Sequence, residues 1–175
     1  GYMYVLTEDL SKARAEETKN KEAREKDGYD PGAVTTGLQG DVIQPLVMRA
    51  NPGDCVRMTL RNQMEGEDGS LFIQASSMVV SSTGKPATTT NPESIVAPGK
   101  AQEFEWYLHP QMQEGVRQFH SFSHDRELTV LGLFGAFVVE PKGSKYVDAL
   151  GTGGPAPEVK SGWQVNIDNG SGPDF

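Results

Sequence analysis

A chain of 175 residues is long enough for one domain with a buried core. Its 36% hydrophobic residues, twenty Gly and eleven Pro describe a turn-rich globular protein, and no run reaches the roughly 18 apolar residues that a membrane span needs. A formal net charge of −8 without a dense Lys/Arg patch weighs against nucleic acid or an anionic membrane surface as partner and leaves cationic partners open.

In chain order, a short apolar start (Tyr2, Met3, Tyr4, Val5, Leu6) precedes an almost wholly charged segment from Thr7 to Asp27. Its Ala, Glu, Lys and Arg predict a helix capped by Thr7 and ended by Asp27-Gly28, with Glu8–Lys12, Glu17–Lys21 and Glu22–Lys26 spaced as i,i+4 pairs. Leu10 and Ala13 are nearly its only apolar positions, so a solvated helix or mobile insertion is expected over a docking helix. From Gly37 onward, short alternating runs between turn residues predict an antiparallel β domain. In Val42 to Ala50 the residues Leu46, Met48 and Ala50 share a face; Asn51-Pro52-Gly53 then turns the chain into Asp54 to Asn62, where Val56, Met58 and Leu60 alternate with Arg57, Thr59 and Arg61. These two runs predict a sheet corner. Further strands are expected over Leu71 to Val80, over Gln102 to His109 with Phe104, Trp106 and Leu108 on one buried face, over Val116 to Ser123, and over Leu131 to Val139. The last is apolar on both parities, as a central strand covered on both sides would be, and Gly132 and Gly135 predict close backbone approach. After Pro141, GTGGPAPEVKSG has the composition of a linker.

Few residues carry recognisable chemistry by themselves. Cys55 is the single cysteine, which rules out an internal disulfide and predicts a small core or interface residue, with no histidine or basic cluster to activate it. Glu65, Glu67 and Asp68 in MEGEDG offer oxygen ligands to a hard cation but fit no calcium loop, so solvated turn carboxylates are expected. Asn169-Gly170-Ser171 has the form of a glycosylation sequon and of an ordinary turn. No phosphate-binding glycine loop and no serine-nucleophile signature is present. The opening GYMYVLTED lacks the basic and apolar regions of a signal peptide, so an export signal is expected to have been removed or never present.

Three segments, PLVMRANPGDCVRMTLRN, NPESIVAPGKAQEFEWYLHP and LGLFGAFVVEPKGSKYVD, resemble in this order the cupredoxin domains of multicopper oxidases, above all the large bacterial ceruloplasmin-like proteins that include manganese oxidases. The resemblance spans about two thirds of the chain, Gly37 to Asp148, and implies an all-β, Greek-key cupredoxin β-sandwich with a charged helical N-terminal insertion. Residues 1–36 would form the N-terminal strand and charged helical segment, 37–148 the cupredoxin domain, and 149–175 a Gly/Pro-rich linker or tail.

In that family a trinuclear copper cluster takes histidine-x-histidine pairs, whose members lie about 6.6 Å apart on one strand face. One pair is expected where Gln74 and Ser76 stand, the other where His120 and Phe122 stand, so only His120 keeps the pattern. His120 and His124 are therefore the candidate metal residues; in a regular strand they lie about 13 Å apart, too far for one ion unless the chain turns at Ser123, as HDRE permits. A packed or interface role for His120 stands beside the ligand role, as does a surface loop or a His124–Asp125 imidazole–carboxylate pair for His124, and turn packing is expected for His109. A type 1 copper site needs a cysteine flanked by histidines; Cys55 has none beside it, and no such site is expected. The resemblance implies one cupredoxin domain of a larger exported multicopper oxidase, located outside the cell, in the periplasm or at the cell surface. Any copper would be shared with other domains, and metal-ion oxidation is among the activities implied. Its partners would be other cupredoxin domains or subunits. The ending at Gly172-Pro173-Asp174-Phe175 is expected to lead into the next domain. The alternative is a copper-free cupredoxin-like structural or assembly module that associates with copies of itself. Copper storage through the six scattered Met is a weaker third reading.

Overall fold

Alternation of apolar and polar residues produces most of the strands. A computed structural model describes residues 1–26, 28, 43–73, 79–81, 95–123, 127–148 and 165–168. After the apolar start, a 3₁₀ turn at Thr7–Asp9 leads into helix α1, Leu10–Glu25. Thr7 does not cap it: Thr7 lies inside the 3₁₀ turn, and Asp9, at the N-cap of α1, makes no side-chain cap bond. The ion pairs on the helix are mainly one residue shorter than expected, with Asp9–Lys12, Arg14–Glu17 and Glu16–Lys19 at i,i+3 and Lys21–Glu25 at i,i+4. All are solvent-exposed and add little stability. The helix is not wholly solvated, because Ala13 and Asn20 are buried along one narrow stripe. Asp27 lies outside the described residues.

The strands are β1 (Leu46–Ala50), β2 (Cys55–Arg61), β3 (Gly69–Ser70), β4 (Phe72–Ile73), β5 (Val79–Ser81), β6 (Ile95–Val96), β7 (Ala101–Tyr107), β8 (Gly115–His120), β9 (Phe134–Val139), β10 (Lys145–Asp148) and β11 (Val165–Asp168), with a short helix α2 (Glu127–Val130) before β9. They form a four-stranded sheet ordered β1-β9-β8-β4, a three-stranded sheet ordered β2-β7-β5, and the two-stranded pairs β3-β6 and β10-β11. The expected corner is present: Gly53, at φ 95°, carries the chain from β1 in the first sheet to β2 in the second. The expectation of a purely antiparallel domain is not met, since β1 runs parallel to β9 with Leu46 opposite Gly135. Of the expected strand Leu71 to Val80, residues 74–78 lie outside the described residues, and its two described ends fall in different sheets. Its start, β4, pairs with β8 in the first sheet, while β5 pairs with β7 in the second.

Side-chain periodicity closes the core between the sheets. On β2 the odd-numbered positions are exposed, and Val56, Met58 and Leu60 turn inward; on β7 Phe104 and Trp106, followed by Leu108, are buried as expected. From the first sheet come Ala50, Ile73, Phe119, Phe137 and Val139, and Tyr4 is inserted from the N-terminal arm. Strands of mixed sheets around one apolar layer are compatible with a β-sandwich. Strand β9 begins at Phe134, not Leu131, because Glu127–Val130 winds into a helical turn. Gly132, at φ 111°, then abuts the Tyr2 carbonyl oxygen, and at Gly135 a Cβ would collide with the Phe119 ring and the Leu46 carbonyl oxygen. Both close approaches were expected from the sequence. Of the two places expected for Cys55, core and interface, the core is excluded, since it is exposed on the outer face of β2. Some loss of solvent pushes its thiol pKa up, a hydrogen bond to Glu105 and that carboxylate's charge add to this, and Arg57 opposes them.

Candidate functional site

Strand β8 alternates between two surroundings. Phe119 points into the core against Tyr4, with ring centroids 5.2 Å apart, whereas His120 points to the opposite face. There its cross-strand neighbours are Phe72 on β4 and Phe134 on β9. His120 is 6% exposed. The chain leaves the strand at Ser121 and brings Phe122 back against the imidazole, with centroids 4.3 Å apart. Phe72 meets both rings, at 5.8 Å from His120 and 5.5 Å from Phe122, each pair near edge-on. The Nδ1 of His120 lies 3.4 Å from the Ser121 carbonyl oxygen, which also accepts from Thr129 Oγ1 at 3.1 Å. Burial pushes the His120 pKa down, and the Ser121 carbonyl offsets part of that.

On the inner face lies a buried hydroxyl network that sequence reasoning missed. Ser121 Oγ accepts from the Ser70 backbone N–H at 3.1 Å and lies 2.9 Å from Ser123 Oγ; Ser70 Oγ accepts from the Phe122 N–H at 2.6 Å. Tyr4 donates its hydroxyl to the Ser70 carbonyl, and Ser123 donates to the Asp68 carbonyl. The signal was present in FHSFSH, where period two puts Ser121 and Ser123 on one face and His120 and Phe122 on the other. A second omission is the ion pair of Arg49 on β1 with Glu140 just after β9, both nearly buried. Charges embedded in LVMRA and FVVE were its sequence signal.

Of the two candidate metal residues only His120 lies among the described residues. His120 is placed as above; His124, Asp125, Gln74 and Ser76 lie outside the described residues. His109 is exposed beyond the end of β7, its Nδ1 accepting from the Gln111 N–H at 3.2 Å. Among the described residues no three His, Cys, Asp or Glu side chains converge, and Glu65 and Glu67 are solvated. Among the described residues, two phenyl rings and a backbone carbonyl stand beside His120.

No family profile and no curated protein matches the chain. Among solved structures, a crystal structure of a multicopper oxidase is similar at 22% identity and a TM-score of 0.39, over 53% of this chain and 32% of that one. The chain thus spans about a third of that structure's length, and a likeness of this size establishes neither family nor activity. No described helix is long and apolar enough to cross a membrane.

Proposed function

We propose that the chain is a cupredoxin-type β-sandwich domain of an exported multicopper-oxidase-like protein, contributing to a larger oxidase without building a complete copper site from its own residues. The observation that carries this reading is where the three resembling segments fall. The first spans β1, the corner and β2; the second spans β6, a turn and β7; the third spans β9 and β10. Each of the three therefore contributes a strand to at least one of the two larger sheets, β1 and β2 from the first, β7 from the second and β9 from the third. Residues 37–148 would be the cupredoxin unit in this reading, with residues 149–175 leading toward a neighbouring domain. The second reading, a copper-free structural module that assembles with copies of itself, is favoured by the aromatic surroundings of His120.

Purification of the intact gene product, with copper measured per chain and dioxygen uptake followed with a one-electron donor, separates the two. Copper-dependent uptake by the intact product, absent from residues 1–175 alone, is the expected result. An intact product that is copper-free, inert toward dioxygen and assembled into large particles would replace the first reading with the second.

A further inference from the structure

We propose that Phe72 and Phe122 make His120 the central ring of a packed aromatic triad and close its position to metal. Ring geometry carries this whether or not the oxidase reading holds. Two of the three ring pairs, at 5.5 and 5.8 Å, lie within the range at which edge-to-face aromatic pairs attract, and the tilted His120–Phe122 pair, at 4.3 Å, lies just below that range in closest contact. The two phenylalanines are half-buried and the imidazole between them is 6% exposed, so the phenyl rings form the cover and the histidine the filling. The one acceptor beside the ring among the described residues is the Ser121 carbonyl. With Nδ1 facing it, the nitrogen left to an ion is Nε2, and burial of the ring under the two phenyls is what closes that nitrogen. Thr129 fixes the carbonyl by donating to it.

Among the described residues, the same-face positions two residues away hold Gln118 and Phe122, and the cross-strand neighbours are Phe72 and Phe134, so three of these four neighbours are phenyl rings. What the triad does supply is attachment. Strand β4 has two residues, too few for ladder hydrogen bonds alone to hold it, and Phe72 docks it on the last residue of β8. His120 thus acts as a positioning residue for β4 and for the Ser121 turn.

The test uses the full chain in three forms: wild type, His120→Phe and Phe122→Ala, each checked for folding by circular dichroism. Copper(II) uptake is titrated by calorimetry and electron paramagnetic resonance, and native carbethoxylation of each histidine is mapped by mass spectrometry. Expected are copper uptakes of wild type and His120→Phe that agree in stoichiometry and within about twofold in affinity. His120 should react at least about tenfold more slowly than the exposed His109, and Phe122→Ala should remove most of that protection. A copper equivalent present in wild type and lost in His120→Phe would overturn the proposal, as would a His120 that reacts as fast as His109. Those two comparisons decide the matter even where Phe122→Ala does not fold.

Discussion

At the residue scale, Tyr4 shows how one buried phenol couples the N-terminal arm to the sheets. Its ring packs on Phe119 and its hydroxyl donates to the Ser70 carbonyl; burial pushes its pKa far up, with the Ser121 hydroxyl opposing. The folded chain therefore keeps the phenol proton above pH of about 10, where the unfolded chain releases it. Stability from this group is complete below that pH and is lost progressively as pH rises above it toward the raised value of the folded chain. Tyr4→Phe should cost about 1 kcal/mol at neutral pH through the lost hydrogen bond, and should flatten the fall in melting temperature on the alkaline side. Thermal scans from about pH 8 to about pH 11 check both. His120 gives the opposite sign. Burial holds its pKa below the unfolded value, so the unfolded chain binds more protons and stability falls as pH drops below about 6.5. His120→Phe should remove that acid-side loss, which urea unfolding at about pH 7 and about pH 5 would read. The sequence made His120 legible as a residue to follow, because a histidine in an alternating strand must choose a face. It did not show that Phe72, 48 positions earlier, would cover it, since cross-strand neighbours are set by register and not by spacing along the chain.

At the element scale, β9 is the strand on which the first sheet depends, flanked by β1 on one side and β8 on the other. Its inward row reads Gly135, Phe137, Val139, and the glycine leaves room for the Phe119 ring from β8. Gly135→Ala should destabilise by about 3 kcal/mol or prevent folding, because the new methyl meets a buried ring and a backbone carbonyl that cannot both yield. Denaturant unfolding of Gly135→Ala beside Ala136→Gly separates this steric cost from a general intolerance of the strand: the second variant should lose about 1 kcal/mol or less. Gly135 was readable from sequence as a site of close approach, since a glycine in an otherwise β-branched and aromatic strand forgoes packing for space. The start of β9 was not. Leu131-Gly132-Leu133 has strand composition, but Glu127–Val130 is helical, and the left-handed Gly132 seats the Tyr2 carbonyl. Nor was the parallel β1–β9 pairing readable, because composition does not reveal strand direction when both strands are short and apolar.

At the scale of the whole molecule, Asn51 joins the corner between the two larger sheets to the β10–β11 pair. Its Nδ2 donates to the Ser144 carbonyl at 3.0 Å, its Oδ1 accepts from the Tyr146 hydroxyl at 2.7 Å, and its backbone N–H donates to Asp54 Oδ2 at 2.9 Å. Tyr146 is buried, and its strand β10 pairs with β11, so Val165–Asp168 in the segment expected as linker or tail is tied to the core through β10. GTGGPAPEVKSG itself, between β10 and β11, lies outside the described residues. One amide thus serves both the turn between the sheets and the seat of the β10–β11 pair, and sequence reasoning saw only the turn. Asn51→Ala removes both side-chain bonds to that pair and leaves the Tyr146 hydroxyl without this acceptor, while Asp54 still accepts from the backbone of residue 51. The cost should be about 2 kcal/mol, borne mostly by the β10–β11 pair, since β1 and β2 keep their ladders to β9 and β7. Amide hydrogen exchange by mass spectrometry should show faster exchange over residues 145–148 and 165–168, with β7, β8 and β9 unchanged. Uniform acceleration across all strands would mean that the β10–β11 pair and the two larger sheets open as one cooperative unit, in which case β10 and β11 belong to the domain core and not to a connecting segment.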